Sequence, residues 1–337
     1  MKIAMISPFF VRCGIATYTA ALSKALADLD CEVFGVRWPR FGMRTPELVK
    51  SVLDRIPEVD VIHHQCEYGL LVPNLEGTLY DGLRQLGKPL VVTMHSVGNS
   101  AADKIIGEVG GRIVVHNEWC ARNFQGDPKK VVIIPHGCAP VECPPAEVCK
   151  KALGIDPKVP IVGYVGFISP NKGLEVLIEA MRGVPNAALL IGGGWFVGDE
   201  TSYIMQLKQW SLEALKGRCM WLGYVPDERL ALVYGAMDVF AYPSKHASES
   251  GALLMGIAHG RATIASAVPP FKEKEKSGAL VTFQSVEDLR EKLIRLIGGD
   301  RERKALEEGA KKYAEANSWR EVAKKHKSLY EDVLSGG

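Results

Sequence analysis

The sequence lacks several features that define common protein classes. No apolar stretch is long enough to cross a membrane, and the apolar run at the N-terminus, MKIAMISPFF, is too short for the core of a signal peptide. The eight cysteines form no CxxC pair, and several stand within apolar segments, where a free thiol packs as a small hydrophobic group. We therefore expect reduced thiols in a cytoplasmic protein. Peripheral contact with a membrane surface is kept as an alternative.

An excess of charge of one sign is also lacking. The 41 basic and 39 acidic residues leave a formal net charge of +2. Because a dedicated nucleic-acid-binding protein concentrates far more basic charge on one face, we expect no nucleic-acid partner and favour a small charged ligand. The 337 residues, 47% of them hydrophobic and 24% charged, are enough for two domains with real cores. The composition does not indicate an oligomeric state.

The fingerprint of dinucleotide-binding enzymes is missing as well. Gly14 lies in a predicted strand-to-helix turn but is not part of a GxGxxG motif, so hydride transfer is poorly supported. Apolar segments nevertheless alternate with segments of helical periodicity, which predicts two Rossmann-like α/β domains with parallel sheets. The predicted strands are Lys2–Ile6, Cys31–Val36, Val59–His63, Leu90–Met94, Ile113–His116, Val131–Pro135, Ile161–Val165, Ala188–Ile191, Met220–Leu222, Val239–Tyr242 and Ala262–Ala265.

Two segments indicate how the domains are divided. Between residues 135 and 160 the sequence is rich in proline and lysine and loses its periodicity, which is typical of a domain boundary. Near the C-terminus an apolar stripe at helical spacing predicts a last helix with one face to bury. The stripe consists of Trp319, Val322, His326, Leu329 and Val333.

A loop with a single lysine joins a buried strand to a helix in the segment VPIVGYVGFISPNKGLEVLIEAM, residues 159–181. In an open α/β sheet this crossing lies at the carboxyl end of the strand, where ligands bind, and the helix N-terminus offers N–H groups to an anion. Lys172 therefore marks a candidate anion site. A surface lysine near a helix start is the alternative interpretation.

Five motifs carry a resemblance to a known family. They are HHQCEYG at 63–69, IPHG at 134–137, GFISPNKG at 166–173, LGYVPDERL at 222–230 and AYPSKHASESGALLMGIAHGRATIASAVPPFKE at 241–273. In this order they resemble the retaining glycosyltransferases of the GT-B fold, family four (group 1). The resemblance implies an α/β protein of two Rossmann-like domains that face a central cleft, with a C-terminal helix that crosses back to the first domain.

The resemblance also implies how the chain is divided and what it does. Residues 1–148 would form the acceptor-side domain, residues 149–315 the nucleotide-sugar domain, and residues 316–337 the returning helix. The reaction would move a hexose from a nucleotide diphosphate sugar to a glycan, a lipid-linked acceptor or a small molecule. The nucleotide diphosphate sugar would be a substrate, and the reaction would need neither a cofactor nor a metal. Neither the base, the sugar, the acceptor nor the linkage can be predicted.

The chemistry of this reaction assigns roles to particular residues. As the nucleotide diphosphate leaves, negative charge grows on the β-phosphate, so cations and N–H donors are needed there. Lys172 corresponds to the family's phosphate-binding lysine, and the backbone N–H groups of Ser250, Gly251 and Ala252 would be the second set of donors. The other donor-side residues are Gly14, Gly166, Phe167, Gly193, Tyr224 and Met255.

Three further residues are implied near the reacting groups. His95, at a predicted strand end, would lie near the transferred sugar, although a structural histidine is an equal alternative. Glu67 and Tyr68 would lie on the acceptor side.

The chain departs from the family pattern at three positions. Phe167 stands where the family usually carries arginine, and Ala247 and Met255 stand where many members carry two glutamates eight residues apart. Glu249 is expected to substitute for the first glutamate as a catalytic residue. Met255, by contrast, cannot accept a hydrogen bond from a ribose hydroxyl as the second glutamate would. A catalytically altered nucleotide-sugar-binding protein and a GT-B epimerase or phosphorylase are therefore kept as alternatives.

Two groups of residues have metal-ligand chemistry, but we expect no metal site. Asp28 and Asp30 have the spacing of a DxD motif, yet they stand between a helix and a strand, away from the predicted site. The segment HHQCE, residues 63–67, contains ligand types, but alternate side chains of an extended segment point to opposite faces.

Overall fold

The computed structural model describes residues 1–11, 13–39, 45–70, 76–194 and 201–336. The chain divides into two compact units, one of Met1–Gly137 with Asn317–Gly337 and the other of Cys138–Ala316. Each unit is an α/β structure built on one sheet, as the alternating pattern predicts.

The described residues form twelve strands and fourteen α-helices. The strands are β1 Lys2–Ser7, β2 Glu32–Arg37, β3 Val61–Cys66, β4 Leu90–Met94, β5 Arg112–Val115, β6 Val131–Ile133, β7 Ile161–Val165, β8 Ala188–Gly192, β9 Cys219–Gly223, β10 Val239–Tyr242, β11 Ala262–Ser266 and β12 Val281–Phe283. The helices are α1 Gly14–Ala27, α2 Pro46–Leu53, α3 Glu76–Gln85, α4 Ser100–Val109, α5 Glu118–Asn123, α6 Ala146–Ala152, α7 Leu174–Arg182, α8 Thr201–Leu215, α9 Asp227–Gly235, α10 Gly251–Ala258, α11 Pro269–Glu275, α12 Val286–Gly298, α13 Asp300–Ala316 and α14 Trp319–Leu334.

All strand pairs in both sheets are parallel. The first sheet has the order β2-β1-β3-β4-β5-β6 and the second has the order β12-β11-β10-β7-β8-β9. Every residue of β3, β4 and β7 is buried, because helices cover both faces of a parallel sheet. This explains why β4 and β7 read as largely apolar runs, whereas β3 carries His63, His64 and Gln65 in its buried interior.

The strand order fixes where a ligand can bind in each unit. The order reverses between β1 and β3 in the first sheet and between β7 and β10 in the second. At such a switch point the loops leave in opposite directions, and ligands bind beyond the carboxyl ends of the strands. The lysine loop follows β7, and the segment from Pro243 to Ser250 follows β10, so both predicted phosphate-binding segments flank the second switch point.

The last helix, α14, belongs to the first unit. Its residues Val322, Ala323 and Tyr330 share a buried cluster with residues of β1, β3 and α1. The Trp319 ring packs so closely on Gly137 that a Cβ atom there would lie 2.3 Å from it. The predicted boundary between residues 148 and 149 falls inside α6 of the second unit.

No helix among the residues covered by the structure combines the length and apolar character that a membrane crossing requires.

Candidate functional site

The loop after β7 packs directly against the loop after β10. Gly173 ends the 3₁₀ turn Pro170–Lys172 in the left-handed conformation, with a φ of 65°. A Cβ atom at this position would lie 2.2 Å from the carbonyl oxygen of Pro243, so only glycine allows this contact. The Lys245 N–H donates to the carbonyl oxygen of Asn171 at 2.9 Å. The two loops are therefore held together at the switch point.

Lys172 supplies a cation at this switch point. Its side chain is half-buried, and its Nζ lies 5.7 Å from the centroid of the Tyr242 ring, within the range of a cation–π contact. The neighbouring Lys245 is paired with Glu175. By contrast, no carboxylate in the described part of the chain pairs with Lys172. The charge of Lys172 is therefore available to an anion.

The N-terminus of α10 lies beside the start of the lysine loop. A Cβ atom on Gly166 would lie 3.5 Å from the Cβ atom of Ala252. Ser250 caps α10, because its Oγ accepts an N–H hydrogen bond from the first turn at 3.2 Å, and it donates to the Tyr242 hydroxyl at 2.9 Å. Gly251 and Ala252 begin the helix, so their N–H groups lack intrahelical partners and can bind an anion.

Glu249 has a different environment from the one expected. One carboxylate oxygen accepts the Ser250 N–H at 2.8 Å, and the other lies 2.6 Å from Lys274 Nζ, with both charged side chains 5% exposed. Burial lowers the pKa of Lys274, but the charges and hydrogen bonds of Glu249 and Tyr313 together outweigh burial, so the pKa is raised overall. The sequence predicts that Glu249 lies near the sugar and that the Ser250 N–H donates to a phosphate. The structure instead joins these two groups to each other.

Gly193 allows the loops after β7, β8 and β9 to meet. Its φ is 137°, and a Cβ atom would lie 1.8 Å from the carbonyl oxygen of Gly166. Its N–H donates to the carbonyl oxygen of Gly223 at 2.7 Å. Two aromatic side chains on these loops are exposed, Tyr224 by 56% and Phe167 by 39%. They offer flat apolar surface at the carboxyl edge of the second sheet.

Met255 is half-buried and packs against the core of the second unit, as does Ala247. Neither side chain offers a hydrogen-bonding oxygen, in agreement with the departure noted from the sequence.

His95 lies directly after β4 at the carboxyl edge of the first sheet. Its N–H donates to the carbonyl oxygen of Cys66 at 2.9 Å, and its Nε2 lies 2.9 Å from Oε1 of Gln65. Burial, together with the nearby rings of His116 and His136, holds the pKa of His95 well below its usual range. The ring is therefore neutral at neutral pH.

Glu67 and Tyr68 brace the loop that follows His95. Glu67 Oε2 accepts a hydrogen bond from Ser96 Oγ at 2.8 Å. The Tyr68 hydroxyl donates to the buried carboxylate of Asp103 and accepts the Asn99 N–H at 3.1 Å. Both residues thus contribute to the shape of the carboxyl edge.

The structure groups the predicted residues by unit. At the carboxyl edge of the second sheet it brings together Gly166, Phe167, Lys172, Gly193, Tyr224, Ser250, Gly251 and Ala252. At the carboxyl edge of the first sheet it places Glu67, Tyr68, His95 and Gly14, whose Cβ position has no atom of the described residues within 4 Å.

Two residues missed by the sequence reasoning support this arrangement. Tyr242 lies under Lys172, and Gln65 contacts His95. Their positions in the strands could have indicated them. Tyr242 is the last residue of an apolar strand, and Gln65 is a polar residue inside a fully buried strand.

The residues with metal-ligand chemistry do not converge. On β3 the His63 ring contacts Tyr330, whereas the His64 ring contacts Tyr80, because neighbouring side chains of a strand point to opposite faces. Asp28 lies at an exposed helix end, paired with a lysine. In the five described segments, no group of three or more His, Cys, Asp or Glu side chains is placed to hold a metal ion.

Comparisons with known proteins identify curated relatives of this chain. The D-inositol 3-phosphate glycosyltransferase of Segniliparus rotundus is 26% identical over 286 residues, which cover 75% of this chain and 63% of that protein. The protein of the same name from Corynebacterium glutamicum is 27% identical over 229 residues, 63% of this chain and 54% of its own length. The chain thus spans between about half and two thirds of the length of these curated relatives.

Solved structures with a similar fold share less sequence. Sucrose-phosphate synthase from Thermosynechococcus elongatus superposes with a TM-score of 0.82 at 20% identity, over 100% of both chains. Anabaena HepE in complex with UDP-glucose superposes with a TM-score of 0.81 at 16% identity, also over 100% of both chains. These likenesses show the fold, which is GT-B.

The family itself is given by the sequence of the second unit. Residues 146–313, which include the lysine loop and α10, match the family described as glycosyl transferases group 1. The chain therefore belongs to the glycosyl transferases group 1, with the GT-B fold.

Proposed function

We propose that the protein is a retaining glycosyltransferase that moves a hexose from a nucleotide diphosphate sugar to an acceptor hydroxyl. One observation carries the proposal: Lys172, which has no carboxylate partner among the described residues, lies on the same switch point as the N-terminus of α10. A cation and backbone N–H groups beside each other suit a diphosphate group.

The proposed step breaks the bond between the anomeric carbon and the β-phosphate oxygen, and the electron pair stays on that oxygen. Lys172 and the N–H groups of Gly251 and Ala252 stabilise the charge that develops there. The acceptor oxygen forms the new bond on the same face of the sugar, and its proton passes to the departing phosphate. This step needs no dedicated carboxylate base, which agrees with the engagement of Glu249 by Lys274.

The remaining predicted residues have supporting roles in the proposal. Phe167 and Tyr224 contact the nucleoside with their exposed rings, and Gly193 shapes the loop between them. His95 contacts the transferred sugar, and Glu67 and Tyr68 shape the acceptor side. No atom of the described residues comes within 4 Å of the Gly14 Cβ position, so a ligand has room beside this backbone.

The comparisons suggest the first substrates to test. HepE binds UDP and UDP-glucose in its solved structures, so a UDP-sugar is the first donor. The named curated relatives act on D-inositol 3-phosphate, which makes a phosphorylated cyclic polyol the first small-molecule acceptor. Glycan and lipid-linked acceptors follow it.

The proposal includes catalysis without a metal, since Lys172 and the start of α10 supply the charge stabilisation. It also includes a cytoplasmic location with peripheral membrane contact, because a reducing compartment suits eight free cysteines.

The test is a thermal-shift panel of UDP-, GDP- and ADP-sugars, followed by turnover and product analysis with the donor that binds. A ligand that binds the folded state raises the melting temperature. We expect a glycosylated acceptor with the anomeric configuration of the donor. Binding without turnover of any donor would favour the nucleotide-sugar-binding alternative. Epimerisation without an acceptor, or a sugar phosphate formed from inorganic phosphate, would favour an epimerase or a phosphorylase.

A further inference from the structure

Gln65 lies between two histidine rings in the interior of the first unit. Its side chain is 1% exposed. Its amide oxygen lies 2.9 Å from Nε2 of His95, and its amide nitrogen lies 3.2 Å from Nε2 of His63 and 3.3 Å from the sulfur of Met5. Every polar atom of the Gln65 side chain is therefore engaged by a neighbour.

The contact with Met5 fixes which way the amide points. A thioether sulfur accepts hydrogen bonds and cannot donate them. The NH2 group of Gln65 must therefore face Met5 and His63, because the reverse orientation would place the amide oxygen against the sulfur. The amide oxygen is left facing His95.

This orientation determines the position of one proton on each histidine. An amide oxygen only accepts, so Nε2 of His95 must carry the hydrogen that it donates. An amide nitrogen only donates, so Nε2 of His63 must accept, and its proton lies on Nδ1. That Nδ1 lies 2.6 Å from the Tyr330 hydroxyl of α14, which can accept it. The hydroxyl of Thr93, 2.8 Å from Nε2 of His63, is placed to donate to the same nitrogen.

The other nitrogen of His95 is left with a lone pair. Across the described ranges, no residue contributes a hydrogen-bonding atom to His95 Nδ1, and His95 as a whole residue is half-buried. The rings of Tyr18 and His116 pack against it at centroid distances of 4.8 Å and 5.3 Å. A second proton on His95 would put a charge into this crowded cluster of rings.

We propose that Gln65 is a positioning residue that fixes His95 in the Nε2–H tautomer, so that Nδ1 accepts a hydrogen bond from a substrate hydroxyl. The role of the hydroxyl rests on the proposed function, in which His95 contacts the transferred sugar. A lone pair at this point favours a neutral hexose. It disfavours a deoxy sugar, which has no hydrogen to donate, and a uronate, whose carboxylate also only accepts.

The first experiment is nitrogen-15 NMR of the histidine side chains in the full chain without substrate, at neutral pH. We expect the signature of a protonated Nε2 and an unprotonated Nδ1 for His95, and the opposite signature for His63. Gln65→Leu should allow His95 to populate both tautomers. Tyr80→Phe is the matched control, because it removes a hydroxyl from His64 on the other face of β3 and should leave His95 unchanged. A protonated Nδ1 on wild-type His95 would overturn the proposal without any need for a variant.

The second experiment tests the consequence for the substrate. Wild-type protein should use a hexose donor about tenfold better than the matching deoxy sugar, as expected for the loss of one hydrogen bond, and Gln65→Leu should reduce that preference. If the wild type discriminates and Gln65→Leu keeps the full preference, the positioning role of Gln65 is wrong. If NMR gives the expected tautomers but no donor is turned over by the wild type, the proposed function fails while the role of Gln65 stands.

Discussion

Lys274 Nζ lies 2.6 Å from a carboxylate oxygen of Glu249, and the two side chains are each 5% exposed. The other oxygen of Glu249 holds the N–H of Ser250, the residue that caps α10. Ser250 in turn donates to the Tyr242 hydroxyl, and Lys172 lies over the Tyr242 ring. A buried ion pair is thus linked through three contacts to the cation of the proposed diphosphate site.

The first prediction concerns this ion pair. Glu249→Ala should destabilise the protein by about 3 to 5 kcal/mol, because it leaves the Lys274 ammonium buried without its counter-ion. The double variant Glu249→Leu, Lys274→Met should be less destabilised than Glu249→Ala alone, since no charge remains buried. Urea unfolding followed by circular dichroism measures both free energies of unfolding.

The matched control is the exposed pair of Glu147 and Lys151 on α6. Glu147→Ala removes the same type of carboxylate from a lysine in water, so its unfolding midpoint should stay at the wild-type value. A similar loss of stability in Glu147→Ala and Glu249→Ala would contradict the special position of the buried pair.

The second prediction concerns the contact between the lysine loop and the loop after β10. Gly173→Ala should destabilise the protein and weaken binding of the nucleotide diphosphate. The new methyl group would meet the Pro243 carbonyl oxygen at 2.2 Å, at a φ of 65°. Gly278→Ala is the control, because Gly278 has a φ of 75° and no atom of the described residues lies within 4 Å of its Cβ position. Both variants strain the backbone by about 1 kcal/mol.

The difference between these two variants isolates the steric contact. Thermal unfolding should place Gly173→Ala below Gly278→Ala, and only Gly173→Ala should lose affinity for the nucleotide diphosphate in calorimetry. Equal stabilities and equal affinities would show that the two loops can separate without consequence.

The third prediction concerns pH. Burial lowers the pKa of His64 from 6.5 to about 4, and it lowers the pKa of His326 to the same value. The unfolded chain therefore binds more protons than the folded chain between about pH 4 and 6.5, so the free energy of unfolding falls as the pH falls through this window. Each histidine contributes a slope of up to about 1.4 kcal/mol per pH unit.

Urea unfolding at a series of pH values measures this slope. His64→Gln and His326→Gln should each flatten the dependence below pH 6.5. If both variants keep the wild-type slope, buried neutral histidines are not the cause of acid sensitivity.

Much of the fold could be predicted from apolar periodicity. The strands Leu90–Met94, Ile161–Val165 and Val239–Tyr242 have the predicted bounds, because parallel strands buried on both faces read as uninterrupted apolar runs. The strand Val281–Phe283 was missed, since three residues are too few to show a period. The apolar stripe of the last helix likewise predicted its buried face.

Less of the candidate site could be predicted, because its residues meet through the fold. The sequence motifs around Lys172 and around the start of α10 predicted the two candidate phosphate-binding segments, and the strand order brings both segments to one switch point. No pattern in the sequence indicates that Lys274 pairs with Glu249, since Lys274 lies on a helix and is 25 residues further along the chain. Gln65 was similarly hidden, because its importance depends on Met5 of β1 and on His95, directly after β4, which only the folded unit brings to its amide group.

The most direct measurement is the turnover number of Lys172→Ala beside that of Lys208→Ala, with a donor that the wild type uses. Lys208 is a matched control, because its Nζ also lies over an aromatic ring, 5.8 Å from the centroid of Trp221, but away from the switch point. If Lys172 stabilises the departing diphosphate, Lys172→Ala should lose turnover by on the order of a hundredfold, as when one preorganised charge-stabilising group is removed. Lys208→Ala should retain wild-type turnover. Near-normal turnover of folded Lys172→Ala would contradict the account.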